Sequence, residues 1–151
     1  MTDHILEQIN KVVHSADILI SLGDFIFKNH RRTPELRDRI ICQELHHVIG
    51  NHDPHIEKYK DSFSSLSDIM ELTYHGQRFI LCHYAMRVWH HMHRGSYHLY
   101  GHSHDSIDRP PNNPWGRSMD VGIDSARRIL GAYRPFHINE VIGILSKKTS
   151  I

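Results

Sequence analysis

Four short polar stretches, each closing an apolar run, constrain this chain more than any other feature. They are Leu22-Gly23-Asp24, Gly50-Asn51-His52-Asp53, Leu81-Cys82-His83-Tyr84 and Gly101-His102-Ser103-His104. In three of them a glycine stands directly before the polar residues. An apolar run reads as a buried strand, and the glycine stops it. Polar residues just past such strands lie where open α/β sheets collect ligands. The fold must therefore bring four strand ends, distant in the chain, to one side of the molecule. Asp, Asn and His donors at those ends suit Mn, Fe, Ni or Zn better than Ca or Mg.

The rest of the chain supports that frame. Residues 2–14 carry Ile5, Leu6, Ile9, Val12 and Val13 on one stripe, which predicts a helix capped by Thr2 or Asp3. Ile18, Leu19, Ile20 and Leu22 follow as a buried strand that delivers Asp24. Thr33 at the N-cap and Pro34 at N1 open a second helix with Leu36, Ile40, Ile41 and Leu45 inward. A strand is expected around Val48 and Ile49, and the serine-rich residues 61–67 read as a loop. Residues 69–74 and 78–83 form a hairpin about His75-Gly76-Gln77, residues 97–100 a further strand, and residues 119–123 a late one. Residues 109–114 are an irregular loop, and residues 139–147 a terminal helix.

At 151 residues, with no repeat and no linker, one domain is expected over residues 1–151. A net charge of +1 offers no electrostatic case for nucleic acid or an anionic membrane. No apolar stretch reaches the roughly 20 residues of a membrane span. The N-terminus, interrupted by Asp3, His4, Glu7 and Asn10, does not read as a signal peptide, so a cytoplasmic location is expected. Cys42 and Cys82 are too few for a disulfide framework.

Taken in order, the four stretches resemble the motif set of the calcineurin-like metallophosphoesterases. The likeness is greatest to the small bacterial and phage-type phosphoesterases. Further matches are Trp89, Gly95 and His98-Leu99-Tyr100, then Val121-Gly122-Ile123-Asp124 and Tyr133-Arg134-Pro135. The resemblance implies an α/β/β/α sandwich, two packed mixed sheets flanked by helices. It also implies hydrolysis of phosphomonoesters or phosphodiesters by a metal-bound hydroxide. Carried over by position, Asp24 bridges two divalent cations, with Mn first among Mn, Fe, Ni and Zn. Asn51, His83 and His102 complete one site, while His104 serves the other. His52 contacts the scissile phosphate and protonates the leaving oxygen. Asp53 orients His52 or caps a helix.

One element of the pattern is absent. The resemblance calls for a first strand ending in Asp-x-His ahead of the residue 2–14 helix, and no such triplet precedes Asp24. Relative to the family the sequence is N-terminally short and its first strand is missing. Three expectations follow: a strand edge left unpaired, a second metal site reduced to Asp24 and His104, and possible self-association through the edge. His4 is the one other histidine ahead of Asp24 apart from His14, but it stands at a helix start with unlike spacing. The alternative function is a catalytically impaired, one-metal binding or interaction protein on the same fold. A phosphate-ester substrate is the expected partner; nucleic acid is admissible only as substrate. Tyr84 and Trp89 are stacking candidates, with packing under the loop the plainer reading of both. His90, His91 and His93 read as a phosphate rim or an exposed loop, and residues 28–32 as a solvated basic loop.

Overall fold

Amphipathic periodicity in the first helix and short apolar runs elsewhere set the layers. In this computed structural model, which describes residues 3–109 and 115–149, α1 (Asp3–Val12) turns Leu6 and Ile9 inward. Thr2 and residues 110–114 lie outside the described residues. Strands β1 (Ile18–Ser21), β2 (Glu44–Val48) and β3 (Ser65–Ser67) form a parallel sheet in that order. The second sheet runs β4 (Ile69–Tyr74), β5 (Gln77–Cys82), β6 (Tyr97–Tyr100) and β7 (Ser118–Asp120), antiparallel between β4 and β5 and parallel beyond. The expected α/β sandwich is present, with one sheet mixed and the other, among the described residues, all parallel.

Three apolar clusters fill the layers. Leu6, Ile9 and Val13 of the α1 region pack with Leu36, Leu45, Phe25 and Phe63 on the outer side of the first sheet. Val48 joins Phe79, Leu81, Leu99 and Met119 between the sheets, where Val141 and Leu145 of α4 (Ile138–Leu145) also insert. Ile80, Trp89 and Met92 close the outer face of the second sheet. Trp89 is thus core, its indole N–H donating to Ser96 O at 3.1 Å.

Several boundaries depart from the sequence expectations. The second helix, α2, covers only Thr33–Asp38, with Arg32 at the N-cap, and Leu45 belongs to β2. The Arg37 guanidinium explains the early stop: it bonds the carbonyls of Ile40, Cys42, Gln43 and Ser62, which a continued helix could not offer together. The serine-rich run is partly strand, because β3 finds a partner in β2 and Leu45 N–H donates to Ser64 Oγ. The late strand is shorter than expected, since helix α3 (Ile123–Leu130) begins after Gly122. The hairpin turn is His75-Gly76, both with positive φ, as a two-residue turn between twisted strands requires.

β1 is not a buried strand. It pairs with β2 alone, and Ile18 is 60% exposed, so among the described residues its other edge is free. All the parallel strands nonetheless deliver their carboxyl ends to one side, which carries residues 22–24, 50–53, 83, 101–104 and 121–124.

Behind that side lies a buried charge cluster. Asp105, with a fully buried side chain, takes a two-pronged bond from Arg128 at 2.6 and 2.7 Å and a third from Arg109 at 3.1 Å. The Arg128 hydrogen bonds hold the Asp105 carboxyl below the usual carboxylate range despite its burial. A lowered folded value means the stabilisation is complete above about pH 4 and is lost as pH falls through the Asp105 value. Arg128→Met is expected to destabilise the fold by about 2–4 kcal/mol, because it leaves a buried carboxylate short of its main partner. It should also shrink the loss of stability on acidification, as measured by urea unfolding between about pH 3 and pH 7.

Candidate metal centre

Two motif glycines stand where ligand side chains need the room. A Cβ on Gly23 (φ 103°) would collide with His83 Nδ1, and one on Gly50 with Asp24 Oδ1. Asp24, His102, His104 and Asp105 adopt left-handed backbone themselves, with φ of 57°, 59°, 47° and 63°. Such conformations cost energy for residues with a side chain and concentrate where geometry is dictated by a site.

The result is a tight convergence of donors. His83 Nε2 lies 2.9 Å from Asn51 Oδ1, 3.2 Å from His102 Nδ1 and 3.4 Å from Asp24 Oδ2. His102 Nδ1 is 3.1 Å from Asn51 Oδ1. His83 donates its Nδ1–H to Leu22 O at 2.7 Å, so Nε2 of the neutral ring is a bare lone pair. A carboxylate oxygen, an amide oxygen and an imidazole nitrogen therefore point at one another, and His102 Nδ1 alone could place a proton among them. With His83 neutral and no cation, such an arrangement is repulsive. With ligand bonds of about 2.1 Å, neighbouring donors sit about 3.0 Å apart in an octahedron and about 3.4 Å in a tetrahedron. The observed spacings match those edges, so this set of residues fits a divalent cation. Among the described residues, Asp24, His83 and His102 are the group of carboxylate and imidazole ligands close enough to share one.

Of the five residues expected to ligate metal, four meet here: Asp24, Asn51, His83 and His102. His104 lines the same groove but stands apart, its Nδ1 2.8 Å from Asp124 Oδ2. His52 donates its backbone N–H to Asp24 Oδ1 at 2.8 Å, while its exposed ring lies 5.1 Å from that of Phe27. Tyr84, half-exposed, sits at the rim with its ring 4.7 Å from His102. His4 packs near Tyr133, away from the cluster.

Asp53 requires a correction. It neither orients the His52 ring nor caps a helix. Its buried carboxylate accepts the backbone N–H groups of Asp24, Phe25 and Gly50 and the His47 Nε2–H, each at 2.8 Å. Burial pushes this carboxyl up, but the hydrogen bond and electrostatic pull of His47, with the N–H groups of Gly50 and Phe25, outweigh it and hold the group below its usual range. Asp53 thus ties the loop after β1 to the loop after β2.

Asp120 does the same for the other half. It accepts Ser103 O–H, Asp105 N–H and Gly122 N–H at 2.8, 2.9 and 2.7 Å. Sequence reasoning missed both His47 and Asp120. The one signal for Asp120 was its place in the expected late strand, two residues before Gly122. His47 offered none, being one of two adjacent histidines in a strand.

A groove of about 420 Å³ leads to the cluster. Ile5 and Ile9 of α1, Leu19 beside the free edge of β1, and Val121 and Ile123 opposite make its lining largely apolar, and Asp24, His83 and His102 lie within it.

A family model described as the calcineurin-like phosphoesterase superfamily domain matches residues 2–115. The chain belongs to that superfamily. Membership points to metal-dependent phosphoester hydrolysis and to phosphate-ester substrates at that level. The fold is similar to the crystal structure of a protein of unknown function from Aquifex aeolicus, with TM-score 0.71 and 20% identity over 93% of this chain and 82% of that one. No curated protein matches the chain. No helix among the described residues is long and apolar enough to cross a membrane.

Because Asp53 ties together the loops that carry Asp24 and Asn51 without touching their side-chain donors, Asp53→Asn should weaken divalent-cation binding at least tenfold. It should also destabilise the fold by about 2–4 kcal/mol. Calorimetric Mn titration and thermal unfolding of the same sample check both.

Proposed function

We propose that this calcineurin-like domain hydrolyses phosphomonoesters or phosphodiesters, with Asp24, Asn51, His83 and His102 holding a divalent cation, Mn by preference. The convergence of four donor atoms with at most one proton among them carries this reading. A bound divalent cation supplies Lewis acidity, lowering the pKa of a coordinated water and offsetting charge on the phosphoryl oxygens.

The chain's own residues account for the rest. Asp24 brings the negative charge that two neutral imidazoles and a neutral amide lack, and its half-buried position keeps that charge effective. Leu22 O fixes the His83 tautomer. Asn51 and His102 are exposed, so a phosphate can approach from that side. His52 follows Asn51 directly, and its ring is exposed to an incoming phosphate. Protonated, it hands a proton to the departing oxygen, a contribution typically of about 10²–10⁴-fold. Asp53 acts by positioning, through the backbone of Asp24 and Gly50. The aromatic at the rim, Tyr84, offers a face for an aryl or base leaving group.

A second reading, binding of one cation without turnover, is favoured by one observation: His104 stands outside the cluster. Turnover of an aryl phosphate diester with added Mn separates the two. Under the hydrolase reading, His83→Ala abolishes both Mn binding and turnover. His52→Ala keeps Mn affinity and loses about 10²-fold or more in kcat. Tight Mn binding by the wild-type chain with no turnover of mono- or diester would leave the binding reading standing.

A further inference from the structure

His104 and Asp124 face the same groove as the cation cluster, yet neither belongs to it. Their side chains are 66% and 43% exposed, and an exposed pair of this kind contributes little to stability. The surroundings are nevertheless firmly built. Asp120 fastens the His104 loop through Ser103 and Asp105, and fastens the start of α3 through Gly122. Arg128, farther along α3, grips Asp105 next to His104. These bonds set Asp124, in the first turn of α3, against His104 Nδ1 at 2.8 Å.

A carboxylate can only accept, so the proton of this contact sits on His104 Nδ1. The neutral ring is then left with a lone pair on Nε2, the form in which imidazole ligates metal. We propose that Asp124 is a positioning residue that selects this His104 tautomer and ring orientation, preparing His104 to hold a second cation in the groove. The proposal rests on the hydrolase reading for the first cation. It concerns a residue outside the span matched by the family model, which ends at residue 115.

The first test needs no metal. Long-range proton–nitrogen NMR at pH 8 on the metal-free chain, with His104→Ala to assign the ring, should find His104 as the Nδ1–H tautomer. Asp124→Ala should shift it toward Nε2–H, while Asp124→Asn, whose amide oxygen still accepts, should largely keep it. Titration with Mn should then show two binding events in the wild type. His104→Ala and Asp124→Ala should each weaken the second by about 10–100-fold and leave the first unchanged, with Asp124→Asn intermediate. Thermal unfolding should not distinguish the variants, because an exposed pair is lost. An Nε2–H tautomer in the wild type, or an Asp124→Ala chain with unchanged second-cation affinity, would overturn the proposal while two intact Mn events left the first-cation reading in place. A single Mn event in the wild type would overturn the second site and this role of Asp124 together. No Mn event at all would overturn the hydrolase reading itself.

Discussion

The Asp53 carboxylate is a buried charge that four donors must share, and the cluster depends on how it is shared. Burying an uncompensated carboxylate would cost several kcal/mol, and the four bonds at 2.8 Å offset that cost only if the loops after β1 and β2 keep one relative position. That position puts Asp24 Oδ1 over His52 N–H and turns Asp24 Oδ2 toward His83. Asp120 repeats the device on the second sheet, joining the 101–105 loop to the turn before α3. The two carboxylates hold in place side chains whose facing lone pairs would otherwise repel one another.

Among the described residues β1 leaves one edge unpaired, and the groove beside it belongs to the same picture. An unpaired strand edge with apolar walls is usually covered in folded proteins. Here Ile18 is exposed, and the groove alongside β1 runs to the cluster. The loops after β2, β5 and β6 bring Asn51, His83 and His102 into contact. Toward the groove the described residues add Asp24 and, standing apart from it, His104 with its Asp124 partner.

Sequence patterns resolved unevenly, for reasons that can be traced to particular residues. Apolar runs closed by glycine located β1, β6 and the hairpin, because burial and turn stereochemistry act within a few residues. Helix α2 came out short because Arg37 caps carbonyls from Ile40 to Ser62, a contact spanning up to 25 residues that periodicity cannot register. The serines of β3 became strand through pairing with β2. Helix α3 escaped notice although Ile123, Ala126, Ile129 and Leu130 recur at helical spacing, because its eight residues make barely two turns, too short a window for periodicity to stand out. Trp89 proved to be core and Tyr84 rim, although both stood in the same aromatic, basic stretch.

What the sequence determined by itself was the ligand inventory. Asp, Asn and His are metal ligands by their chemistry, and their order at strand ends is a property of the chain that no packing alters. What only the tertiary structure decided was which of them meet. Convergence of Asp24, Asn51, His83 and His102 within a few ångström depends on the register of two sheets and on two buried carboxylates fixing loop backbones. The same physics left His104 apart and moved Asp53 from the chemistry to its support: a side chain's role follows from which hydrogen-bond partners reach it first.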